Sequence, residues 1–77
     1  MAIVVKFFAS LREALDIAET RIESTQAITV ADVWQQATNN AEMPPNTLIA
    51  INMEYVDKTQ SVNDGDEVAF FPPVSGG

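Results

Sequence analysis

Residues 3–8 are apolar except at Lys6, and the period of two puts Ile3, Val5 and Phe7 on one face and Val4, Lys6 and Phe8 on the other. This predicts a central strand. Ser10-Leu11-Arg12-Glu13 has capping-box spacing, in which Ser accepts from the N3 amide and Glu reaches back, so a short helix is predicted over about 11–15. Residues 18–24 are mostly polar, with Ile22 the chief apolar position, and read as an exposed edge strand beside the first. Thr29 and Asp32 then mark a second N-cap, and Val30, Val33, Trp34 and Ala37 recur at helical spacing. The main helix is predicted over 30–40, ending at Asn39-Asn40, with Trp34 in the core rather than serving as a ligand platform.

Residues 42–46, with two prolines, form a loop, and 48–53 a strand with Ile49 and Ile51 inward and Asn52 outward. Tyr55-Val56 and residues 59–62 are predicted as short strands around a turn at Asp57-Lys58. Asp64-Gly65 is turn chemistry, because Gly accepts positive φ without a Cβ clash. The run 67–71 is the last strand. One long helix against several short strands is by itself an α+β pattern and no more.

That arrangement has a consequence for the last strand. If Val68 and Phe70 face the helix, then Ala69 and Phe71 face away, on the side of Phe8, and Tyr55 can join them. A small sheet covered by one helix leaves its other face open to water. Aromatics gathered there mark a protein interface unless loops cover them. Pro72-Pro73 removes two backbone donors in succession, so the ladder stops and the chain leaves the sheet. The expected division is a folded domain over 1–71 and an extended tail over 72–77. Fully stretched, that tail reaches about 20 Å. Gly76 and Gly77 carry no side chain, so they fit a narrow channel and can present a terminal carboxylate to another protein's active site. The alternative is a frayed end.

Composition narrows the chemistry. A 77-residue chain is one small domain whose apolar residues are committed to its core. It has no Cys and no His, which excludes disulfides, thiolate or imidazole metal sites and Cys–His or Ser–His nucleophile pairs. Eleven acidic residues against four basic ones give a formal charge of −7, which argues against nucleic acid and favours a partner with a basic surface. Asp64, Asp66 and Glu67 lack the further oxygen ligands that calcium needs, so they read as a solvated turn and no metal is expected. Lys6, Arg12, Arg21 and Lys58 are too scattered to cradle a phosphate. No active site of its own is expected. The opening residues lack signal-peptide character and no apolar run matches a membrane span, so a soluble cytoplasmic protein is expected.

The run DGDEVAFFPPVSGG at 64–77 closely resembles the C-terminus of the molybdopterin synthase small subunits, ubiquitin-like sulfur carriers with a β-grasp fold, a mixed sheet packed by one main helix. Residues 5–13, VKFFASLRE, are similar to that family's opening strand and the short helix after it, and Ala50-Ile51-Asn52 to its central strand. The resemblance implies ATP-dependent adenylation of Gly77 by an E1-like enzyme. Conversion to a thiocarboxylate and sulfur donation to a cyclic pyranopterin phosphate held by the large subunit then follow. This chain would be the sulfur-donor subunit of a heterotetrameric sulfurtransferase, with no cofactor bound and ATP used by the activating enzyme. Carried over residue by residue, Gly77 is the donor, and Gly76 and Ser75 thread the channel. Phe8, Arg12, Tyr55, Phe71, Pro72, Pro73 and Val74 contact partners. Ser75 stands where the family often has Thr, and residues 16–47 carry no family signature.

Three other readings share parts of this pattern. A sulfur carrier for thiamine thiazole synthesis has the same fold and diglycine, although Phe-Phe-Pro-Pro-Val before the tail favours molybdopterin synthase. A ubiquitin-like modifier would join Gly77 to lysines and be revealed by adducts. An inert interaction module would be indifferent to loss of Gly77.

Overall fold

The computed structural model describes residues 2–23 and 28–73. The elements in chain order are β1 (Ala2–Phe7), α1 (Ala9–Leu15), β2 (Glu19–Glu23), β3 (Ile28–Thr29), α2 (Val30–Thr38), β4 (Leu48–Ile51), β5 (Glu54–Val56), β6 (Ser61–Val62) and β7 (Glu67–Phe71). Five strands form one mixed sheet in the order β2-β1-β7-β4-β5, while β3 and β6 form a separate pair. β1 and β7 lie side by side and parallel, with Val5 opposite Val68 and Phe7 opposite Phe70, and the other neighbours are antiparallel.

Alternation in β1 works as expected: Ile3, Val5 and Phe7 are buried, and Val68 and Phe70 of β7 join them beneath α2. From the helix, Val30, Val33 and Trp34 complete the cluster. The Trp34 ring meets Phe70 edge-on at 4.9 Å and Phe7 at 5.7 Å, the T-shaped geometry that aromatic quadrupoles favour. Its indole N–H donates to the Ala41 carbonyl at 2.7 Å, so Trp34 is a core residue whose one polar atom is satisfied. The Thr29–Asp32 capping box closes the start of α2, and the next free amides, Val30 and Ala31, donate to the Gln60 and Lys58 carbonyls.

Four local expectations are corrected. α1 is not capped by Ser10. The β1 ladder continues through the Phe8 amide to the Phe70 carbonyl, Ala9 turns the chain at φ 52, and Phe8 becomes the cap, with Ser10 already inside the helix. α2 ends at Thr38, because Asn39 and Asn40 take left-handed backbone. β4 stops at Ile51 rather than Met53, since Asn52 and Met53, at φ 49 and 74, form the two-residue turn of the β4–β5 hairpin. Finally, the strand predicted over 59–62 is confined to Ser61–Val62, which pairs with β3, while β5 joins β4.

Candidate functional site

The face of the large sheet opposite α2 is set by register. Ala69 lies between Lys6 of β1 and Ala50 of β4, Phe71 lies opposite Leu48, and Tyr55 lies opposite Ala50. One end of this face is charged. There the Lys6 ammonium reaches the Glu67 carboxylate at 3.1 Å with both side chains partly exposed, a geometry that contributes little stability in water. The other end is aromatic. Phe8 continues β1 by one residue and stacks on Phe71, with ring centroids 4.8 Å apart and planes 7° apart. Tyr55 tilts against Phe71 at 6.5 Å from the β5 side. Phe8 is 40 % and Tyr55 73 % exposed, so no loop among the described residues covers this end of the face.

Of the residues picked from sequence, Phe8, Phe71 and Tyr55 are thus brought together. Arg12 is exposed one helical turn beyond Phe8, its amide donating to the Phe8 carbonyl at 3.4 Å, so cation and ring share one side of α1. Pro72 is half-buried and Pro73 exposed immediately after β7, which ends at Phe71. Val74, Ser75, Gly76 and Gly77 lie outside the described residues.

Sequence reading missed the clasp that fixes the start of β7. The Asn52 side chain accepts from the Glu67 amide at 3.0 Å and donates to the Asp66 carboxylate at 3.1 Å, while its backbone amide donates to the Glu67 carbonyl at 2.8 Å. The other Asp66 oxygen accepts from the Asn63 amide, closing the turn in which Gly65 sits at φ 92. The acidic run is therefore a hydrogen-bonded turn, and among the described residues no three metal-ligating side chains gather. On the helix side, a cleft of about 630 Å³ opens between α2 and the 40–47 loop, lined by Trp34, Met43, Pro44, Ile49, Val56 and Lys58 among others. Among the described residues, none of those picked for function lines it.

Residues 5–77 match the ThiS family. The chain is 34 % identical to a molybdopterin synthase sulfur carrier subunit of Haemophilus influenzae, covering 95 % of this chain and 96 % of that one. It is 37 % identical to the corresponding protein of Chlamydomonas reinhardtii over the full length of both. In structure it is similar to SAMP1 of Haloferax volcanii (TM-score 0.78, 27 % identity, full coverage of both). It also resembles in fold one chain of a Helicobacter pylori complex of subunits 1 and 2 of molybdopterin-converting factor (TM-score 0.66, 22 % identity, full coverage of both).

Proposed function

The chain belongs to the ThiS family, and from that premise we propose that it is the sulfur-carrier subunit of molybdopterin synthase, with Gly77 bearing the sulfur. The observation that carries this reading is the near full-length similarity to molybdopterin synthase sulfur carrier subunits, together with a family match that runs through Gly77. The β-grasp domain offers an aromatic docking face and, beyond Pro72-Pro73, a diglycine segment narrow enough to enter a partner's channel.

The chemistry follows from the carboxylate. It is ionised at neutral pH and a poor electrophile, so it must first be activated. An E1-like enzyme transfers AMP from ATP to the Gly77 carboxylate and releases pyrophosphate. Sulfide sulfur then displaces AMP to give the thiocarboxylate, which donates to the cyclic pyranopterin phosphate held by the large subunit; two such transfers build the dithiolene. This chain supplies no acid–base side chain. It docks through Phe8, Arg12, Tyr55, Phe71, Pro72, Pro73 and Val74, and threads Ser75, Gly76 and Gly77 into the large subunit. It binds no cofactor, and ATP is consumed by the activating enzyme. Assembly with the large subunit is a heterotetramer, in the cytoplasm; among the described residues no helix is long and apolar enough to cross a membrane.

The test is reconstitution. Thiocarboxylated chain mixed with the large subunit and cyclic pyranopterin should yield molybdopterin, and replacing Gly76 with Trp should abolish the product without altering the fold. Full product from a chain lacking Gly77 would refute the carrier role. A thiazole-synthesis carrier would fail this assay with the large subunit and work with a thiazole synthase instead. A second reading, a protein modifier, is favoured by the similarity to SAMP1. It predicts Gly77-linked lysine adducts on other proteins.

A further inference from the structure

Among the described residues, positive φ outside glycine falls mostly on Asn and Asp, whose short polar side chains bond locally. Met53 shares a two-residue hairpin turn with Asn52, and such a turn itself demands positive φ. Neither explanation applies to Ala9, at φ 52. Ala9 is exposed, so no packing of its methyl group offsets the Cβ clash. The conformation is imposed by what is fastened on either side of it.

Both sides are fastened through Phe8 and Leu11. The Phe8 amide donates to the Phe70 carbonyl at 3.1 Å, so the sheet holds the chain up to the residue before Ala9. The Phe8 carbonyl accepts from the Leu11 and Arg12 amides at 3.2 and 3.4 Å, so α1 begins at once, and the buried Leu11 side chain ties the helix to the core. One residue therefore turns strand into helix with no loop between them. Its neighbours are what make the junction matter. Phe8 stacks on Phe71 on the open face, and Arg12 stands exposed one turn along α1. Ring and guanidinium are thus set relative to each other, and to the exit at Pro72, across a single left-handed residue. Backbone strain that the surrounding structure over-determines gathers at functional sites.

We propose that Ala9 is a positioning residue: its left-handed backbone holds Phe8 and Arg12, already in the free chain, in the arrangement that docks on the large synthase subunit. This rests on the function proposed above. Ala9 acts through its two neighbours rather than by contact of its own, and the constraint lowers the ordering cost of association.

The test is calorimetric titration against the large subunit of molybdopterin synthase from the same organism, at a temperature where every variant is folded. The Phe8 and Phe71 ring-proton shifts are recorded on each free chain. Ala9→Gly adopts φ 52 without a clash and should keep the stacked-ring shifts and bind within about twofold of wild type. Ala9→Val, whose β-branched side chain resists positive φ, should lose those shifts and bind about fivefold more weakly. In a chain that already carries Phe8→Ala and Arg12→Ala, adding Ala9→Val should leave the affinity unchanged, an outcome that a merely structural residue does not give. If Ala9→Val does not fold, one glycine inserted between Ala9 and Ser10 loosens the same junction and is held to the same affinity results. Unaltered affinity in the loosened chain overturns the proposal, as does a comparable loss in Ala9→Gly. A loss that persists in full once the Phe8 and Arg12 side chains are gone also overturns it. A wild-type chain that does not bind the large subunit defeats the functional reading instead, and the proposal with it.

Discussion

Phe8 lies flat on Phe71, 4.8 Å between ring centroids, although one follows the first strand and the other ends the last. The parallel register of β1 and β7 causes this. Phe7 is opposite Phe70 on the helix side, so the next residue of each strand turns to the open side. The stack thus marks the point where the chain leaves the sheet toward Pro72.

Phe70 and Phe71 are adjacent but should respond in opposite ways. Phe70 is fully buried against Phe7 and Trp34, so Phe70→Ala should cost about 3–5 kcal/mol in denaturant unfolding. Phe71→Glu loses the outward stack and should cost about 1 kcal/mol, yet weaken binding to the large subunit at least about tenfold. Comparable losses of stability in the two variants would contradict the assigned faces.

The clasp between Asn52 and the start of β7 should matter to stability in a pH-dependent way. Asn52→Ala loses two side-chain hydrogen bonds and a residue suited to φ 49, and should cost about 1–2 kcal/mol. Asn52→Asp keeps the acceptor for the Glu67 amide but sets a second carboxylate against Asp66. The variant should therefore be less stable than wild type at neutral pH, where both carboxylates are charged, and the difference should shrink in acid, measurable by urea unfolding at several pH values.

Asp57 offers a second titration with the opposite sign. The Thr59 hydroxyl and then the Thr59 amide donate to its carboxylate and hold its pKa below the ordinary aspartate value. A depressed pKa means that the contribution to stability is present above the ordinary value and is lost as pH falls through the lowered one. By carbon-detected NMR titration Asp57 should titrate low in the wild type and move upward in Thr59→Val. The stability difference between the two should be largest near neutral pH and shrink in acid.

The sequence made the central strands, α2 and the aromatic cluster on the open face legible, because each follows from a short-range period. Ile3, Val5 and Phe7 alternate visibly, and parity alone sends Phe71 to the side of Phe8. What escaped depends on partners distant in sequence. Two-residue strands such as β3 and β6 have no period to detect, and only their pairing with each other defines them. The 52–53 turn lacked its usual glycine, so the apolar run appeared to continue through Met53. Asp66 read as part of a solvated turn because its partner Asn52 comes from the distant β4–β5 turn. Ser10 had the spacing of a cap, but the ladder from Phe8 to Phe70 moved the helix start.

The central claim, sulfur carried on Gly77, is tested most directly by intact-mass spectrometry. The chain is incubated with its host's adenylating enzyme, ATP and sulfide. The account predicts a species heavier by the difference between a sulfur and an oxygen atom, absent when Gly77 is deleted. An unchanged mass while the enzyme forms the acyl adenylate, or the same gain in the deletion variant, would contradict it.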